Sequence, residues 1–420
     1  MNSSFHAANR EALYNSLSDG TLLLSFAGEA PRLSADAYYP FFANRNFVYL
    51  TGLGGTESQG FILLAKKENG TVEETIFALP PDTLAERWNG RRLRYDEISE
   101  LSGISNILPL GEFEGEFHKA VNSGQFKTLA LDLERHKPGE PDGAPHRFAK
   151  LAAERYPQLG IAGYSKQMRI QRTIKAPCEI EAMKEALKVT KTGIAAMMRA
   201  SRPGMYEYQY KAIFDSTLTN HGVLRPAFPP IISAGKNNFY IHYDSYMGRA
   251  EDGDMILNDV GACWDNICND VSRGWPCNGK FSERQRLLYQ CAYDTSEYMF
   301  GIIKPGMPMA DVDILARKRN FEHLKELNLV DTYENAGKLI WHGGAHHVGY
   351  DVHDVVDLSM PISPGMVFCV DIGIYCEEWG IGFRLEDDCL VTEDGCINLS
   401  AGIPRTIEEI QSEMSGAFYG

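Results

Sequence analysis

Two stretches, residues 366–376 (MVFCVDIGIYC) and residues 382–392 (GFRLEDDCLVT), decide the reading of this chain. Each is an apolar, β-branched and aromatic run of strand length, and the gap between them, which contains Gly380, is short enough to close a hairpin. Asp371 lies inside the first run and Glu386 inside the second. Upstream, residues 255–262 (MILNDVGA) and 267–275 (ICNDVSRGW) repeat the arrangement with Asp259 and Asp270. A carboxylate in such surroundings is costly unless a cation compensates it, and four of them repel one another in a low-dielectric core. Arg273 and Arg384 are the nearby basic residues, so a metal is the expected partner.

Working outward, each hairpin follows a helical region. Ile180, Met183, Ala186, Leu187 and Val189 to Ile194 cover one face of a long helix after Pro177, and further helices are expected over 207–220, 283–302 and 309–326. Helix followed by hairpin in each half suggests a duplicated α/β architecture. The first part of the chain is a separate α/β module, with strands expected at 21–26, 47–50, 60–64 and 75–79 and a helix near 148–156. A Pro/Gly cluster at 138–145 and a connection near 160–165 precede the expected boundary, giving domains 1–170 and 171–420.

At 420 residues the chain has room for a large core in each domain. Apolar residues make up 44% and charged residues 23%, which excludes wholesale disorder. The net charge of −15 would repel polyanions and anionic lipid, so neither nucleic acid nor a membrane surface is an expected partner. No secretory leader or run of 18 apolar residues is evident, and a cytoplasmic location is expected. All nine cysteines begin at Cys178 and none forms a C-x-x-C zinc pattern, which reads as reduced core thiols.

Four of the eleven histidines, His342, His346, His347 and His353, crowd into a glycine-rich segment at 341–354 (WHGGAHHVGYDVHD). Glycines there suit a loop whose backbone closely approaches a ligand. Carboxylates with one imidazole suit hard or borderline divalent ions, Mn²⁺ first and Co²⁺ or Zn²⁺ as alternatives. Two ions bridged about 3.5 to 4 Å apart would neutralise the carboxylates and activate a water for attack on an amide.

Asn258-Asp259-Val260-Gly261, Asp270-Val271-Ser272-Arg273, His342-Gly343-Gly344-Ala345-His346, Asp351-Val352-His353-Asp354, Pro364-Gly365-Met366-Val367 and Arg384-Leu385-Glu386-Asp387-Asp388 together resemble the proline-specific pita-bread metallopeptidases, aminopeptidase P above all. Tyr39 to Phe47 and Trp88-Asn89-Gly90-Arg91-Arg92 resemble that family's N-terminal domain. The resemblance implies an α/β N-terminal domain followed by a pita-bread catalytic domain with a mainly antiparallel sheet. It implies Asp259, Asp270, His346, Asp371 and Glu386 as ligands of two divalent ions, with Asp371 as general base. His242 and His353 would contact substrate and stabilise charge on the scissile carbonyl oxygen. His342 and Arg384 would line the substrate pocket, and Trp88 would border the active site of a neighbouring subunit in a homodimer or homotetramer. His347 matches no functional position.

The family usually has Glu followed by Pro-Gly where this chain has Asp371-Ile372-Gly373. The implied activity is release of an N-terminal residue that precedes proline, from peptide substrates with proline second. The alternatives are a prolidase restricted to Xaa-Pro dipeptides and, because of Asp371, a catalytically degenerate peptide-binding protein. A methionine aminopeptidase would not need the N-terminal domain, and a creatinase-like hydrolase would lack the ligands.

Overall fold

The computed structural model describes residues 1–416. The chain divides into two compact units, Met1–Gln171 and the residues from Arg172 onward.

The first unit is built on strands β1 (Thr21–Phe26), β2 (Ile62–Glu68), β3 (Thr71–Ala78), β4 (Ile107–Pro109), β5 (Thr128–Leu131) and β6 (Gly160–Gly163), in the order β4-β3-β2-β1-β5-β6. β1 pairs antiparallel with β2 and parallel with β5, so the sheet is mixed. Leu22, Leu24, Leu64, Phe77 and Leu129 meet Phe113 and Phe117 of the helix Phe113–Asn122 in its core. Two expectations need correction. The run at 47–50 is helix, Arg45–Thr51: the Asn44 side chain caps it by accepting from the Phe47 N–H, and Gly52 ends it at φ 75°. All seven of its residues are buried, so its short apolar run has no amphipathic period to distinguish it from a core strand. The connection at 160–165 begins as β6, an edge strand that only its pairing with β5 reveals.

The second unit carries β7 (Ile231–Ala234), β8 (Met255–Val260), the two-residue strands β9 (Cys263–Trp264) and β10 (Ile267–Cys268), β11 (Val271–Pro276), β12 (Val367–Cys376), β13 (Ile381–Val391) and β14 (Cys396–Asn398). Its main sheet runs β12-β13-β11-β8-β7, all antiparallel, with β14 added beside β13. Helices Pro177–Ala200, Glu207–Asn220, Glu283–Ile302 and Ala310–Glu326 complete it. Met183, Ala186, Leu187, Thr190, Ile194 and Met197 form the buried face of the first, at the spacing of a helix stripe.

The expected continuous strand at 267–275 is divided. A tight β9–β10 turn at Asp265 and Asn266 (φ 47° and 66°) precedes a local excursion in which Asn269 Oδ1 accepts from Ala262 N (2.9 Å) and from Thr190 Oγ1 (3.0 Å). A Cβ on Gly261 would lie 1.8 Å from the Asn269 carbonyl oxygen, so only glycine permits this approach. The excursion ends at Asp270. Among the described residues no helix is long and apolar enough to cross a membrane.

Candidate metal centre

Strand register assembles the carboxylates. Asp371 faces Glu386 across β12–β13, Glu386 faces Ser272 across β13–β11, and Ser272 faces Asp259 across β11–β8. Directly opposed residues share a sheet face, so this row aims Asp371, Glu386 and Asp259 the same way, with Ser272 between the last two. Ser272 Oγ donates to Glu386 Oε2 at 2.8 Å. Asp270, which ends the excursion just before β11, brings a carboxylate oxygen to the same cluster as Asp259 and Glu386.

His346 arrives from the glycine-rich segment, which lies against β12. Cys369 N donates to His346 O (2.8 Å) and Asp371 N to Gly344 O (2.9 Å). His346 Nε2 lies 3.4 Å from Glu386 Oε1 and 3.5 Å from Asp270 Oδ2. Donor atoms of Asp259, Asp270 and Glu386 fall within 4.8 Å of one another, and so do those of His346, Cys369 and Glu386. Two overlapping donor triangles therefore share Glu386.

These residues fit divalent cations. Asp259 Oδ1, Asp270 Oδ1, Asp371 Oδ1 and Glu386 Oε1 are buried oxygens with no hydrogen-bond partner, an arrangement that a bound cation would satisfy. Burial pushes the Asp259 carboxyl up against the pull of Arg384, whose Nη2 donates to Asp259 Oδ2 at 2.7 Å. Burial, then the charges of Glu386 and Asp259, pushes Asp270 up strongly. Burial alone would lower the His346 imidazole, but the Glu386 carboxylate 3.4 Å away, and then Asp371, carry it up to about 9.

The centre floors a cavity of about 460 Å³. Its walls include the apolar Phe228, Pro229, Ile231, Ile241 and Val352, and His242, His342, His353 and Arg384 also reach it. The His353 ring lies 4.2 Å from that of His346. Burial and then His346 lower the His353 imidazole, which favours its neutral form. Asp371 Oδ2 lies 3.0 Å from His342 Nδ1, and His342 Nε2 lies 2.9 Å from Tyr375 Oη. His347 faces away into the interior, where burial pulls it down to about 4. Trp88 belongs to the first unit, is 83% exposed and is no part of this cavity's lining.

Sequence reasoning missed Cys369 and Tyr375. Cys369 reads as one more core thiol, yet its sulfur stands in the His346 triangle, and burial with the neighbouring carboxylates raises it well above an ordinary thiol. Tyr375 Oη accepts from Arg384 Nη1 at 3.1 Å and so links Arg384 to His342. The signal was available, because 369, 371, 373 and 375 share one face of an extended strand.

Comparison with known proteins agrees with this geometry. The model of metallopeptidase family M24 matches residues 181–393, and that of the aminopeptidase P N-terminal domain matches residues 6–129. The Xaa-Pro aminopeptidase of Escherichia coli K12 is 29% identical, with 97% of each chain covered. A Bacillus anthracis structure assigned to aminopeptidase P superposes with a TM-score of 0.95 at 38% identity, covering 99% of this chain and 98% of the other. Zinc-substituted E. coli aminopeptidase P in complex with product gives 0.89 at 27% identity, with 99% and 98% covered. With the carboxylate row, the imidazole and both matched models in agreement along the chain, it belongs to metallopeptidase family M24 and carries an aminopeptidase P N-terminal domain.

Proposed function

We propose that the protein is a metal-dependent Xaa-Pro aminopeptidase, which hydrolyses the bond between an N-terminal residue and a following proline. The observation that carries this is a carboxylate and imidazole centre at the floor of a partly apolar cavity, in a chain whose full-length relatives include Xaa-Pro aminopeptidases. Those relatives do not favour the dipeptidase alternative.

In this reading Asp259, Asp270, His346, Asp371 and Glu386 hold two divalent ions, with Mn²⁺ proposed as the native metal. When bound, the ions polarise the scissile carbonyl and make a water more acidic. Asp371 takes that water's proton at its carboxylate, and His342, 3.0 Å away, orients it. His242 and His353 donate to the carbonyl oxygen as negative charge develops. Arg384 balances Asp259, and the apolar wall receives the proline ring.

Asp371 is one methylene shorter than the family's usual glutamate, and we propose that this site has adjusted around it. Asp371→Asn should lose nearly all turnover, because an amide neither accepts the proton nor bridges cations well. Asp371→Glu should leave turnover unchanged or lower it, since base placement within about 1 Å changes rate by about 10²-fold. The measurement is kcat/KM on an Xaa-Pro tripeptide with Mn²⁺ saturating, and a tenfold gain for Asp371→Glu would sink the adjusted-site reading.

The same proposal includes cytoplasmic action, supported by cysteines of which six are buried, as core thiols are, and a homodimer or homotetramer in which Trp88 reaches a neighbouring copy. A tryptophan this exposed is what an interface would cover. Trp88→Ala should therefore shift sedimentation toward the monomer and lower activity, and a fully active wild-type monomer would remove this part.

A further inference from the structure

Glu207 opens the helix Glu207–Asn220 and is completely buried. No cation pairs with it among the described residues. Its carboxylate instead accepts from four neutral donors, all within residues 234–248: Oε1 from Ala234 N (2.9 Å) and Asn237 Nδ2 (2.9 Å), Oε2 from Tyr243 Oη (2.7 Å) and Gly248 N (2.6 Å). The helix N-terminus favours a negative charge here, and the four donors meet the carboxylate's hydrogen-bonding needs without a cation.

The backbone of the helix start joins the same segment, with Glu207 N donating to Gly248 O (2.9 Å) and Tyr208 N to Tyr246 O (3.0 Å). A Cβ on Gly248 would lie 2.5 Å from Glu207 Oε1 and 2.3 Å from Asn237 Nδ2, so glycine there is what lets the carboxylate close in. This segment carries His242 and Tyr243 to the cavity wall. The His242 side chain makes no hydrogen bond among the described residues, so its position depends on its neighbours. Ile241 O accepts from Arg384 Nη1 (3.1 Å) on one side, and Tyr243 is tied to Glu207 on the other.

We infer that Glu207 is a positioning residue for the reaction: through Tyr243 and Gly248 it holds the segment 236–248 so that His242 stands at the substrate. This rests on the role proposed above for His242.

The test is a double-mutant cycle on the full chain with metal saturating, reading kcat/KM on an Xaa-Pro tripeptide together with metal content. His242→Ala alone should lower kcat/KM. Tyr243→Phe removes only the hydroxyl, and it and Glu207→Gln should each lower kcat/KM about tenfold or more, because loosened placement of a substrate-contacting group costs rate steeply. In the His242→Ala background the same changes should cost less than about twofold, with metal content unchanged throughout. A merely structural role would give equal factors in both backgrounds, and that result overturns the inference while leaving His242 in place. If His242→Ala is fully active, the role of His242 fails and the anchor falls with it. Should Glu207→Gln fold poorly, Tyr243→Phe carries the cycle alone.

Discussion

Glu386→Gln is expected to cost turnover on the order of 10³-fold or more, since cations at such a centre contribute several kcal/mol of charge stabilisation and each 1.36 kcal/mol is a factor of ten. Glu386 belongs to both donor triangles, is 2% exposed and offers Oε1 with no hydrogen-bond partner while Ser272 holds Oε2. Glutamine keeps the shape and can still accept from Ser272. It lacks the charge that both cation positions share, so metal content should fall below two ions per chain. The metal-free variant should melt no lower than metal-free wild type, because one of four mutually repelling carboxylates has been removed. That combination separates a ligand from a structural residue. Elemental analysis and kcat/KM measure it, and full metal content with turnover within tenfold of wild type would refute the shared-ligand assignment.

Asp354→Ala should produce the largest loss of stability, about 3–5 kcal/mol, because it strands the buried Lys175 ammonium and leaves the buried Arg172 guanidinium with Asp351 alone (3.0 Å). Arg172 and Lys175 both pair with Asp354, Lys175 at 2.8 Å, and all three side chains are buried. For a unit of this size the melting temperature should drop on the order of 10 °C. Asp354 N also donates to His347 O (2.9 Å), so the segment bearing His346 and His353 should loosen and metal binding weaken. Burial alone would raise the Asp354 carboxyl, but the Arg172 and Lys175 charges overcome it and hold it below the usual range. A carboxylate depressed by folding stabilises above its unfolded value of about 3.9 and loses that contribution as pH falls through and below it. Wild type should therefore lose stability on acidification through about pH 4 more steeply than Asp354→Ala does. Thermal melts at pH 7 and at about pH 3 test this, and a change under about 1 kcal/mol at pH 7 would show that the triad is not needed.

Much of the centre is legible in the amino-acid sequence. Asp259, Asp371 and Glu386 betray themselves because a carboxylate inside an apolar strand run violates burial chemistry, and the helices at 177–200, 207–220 and 283–302 announce themselves by a 3.6-residue stripe. Composition and local period are properties of consecutive residues, so they can be read without knowing what packs against them. The helix Arg45–Thr51 escaped because a short segment buried on every side has no period at all, and β6 escaped because its strand character comes from its partner β5.

Which groups face one another is a property of the folded chain alone. Ser272 meets Glu386 through a register joining strands more than a hundred residues apart, and nothing in its own neighbourhood says so. Cys369 reads as a core thiol until β12 turns it toward His346. Glu207 reads as an acidic residue suited to a helix N-terminus until the segment 234–248 folds around it. The chemistry of a side chain is written locally, but its partners are set by long-range pairing and packing.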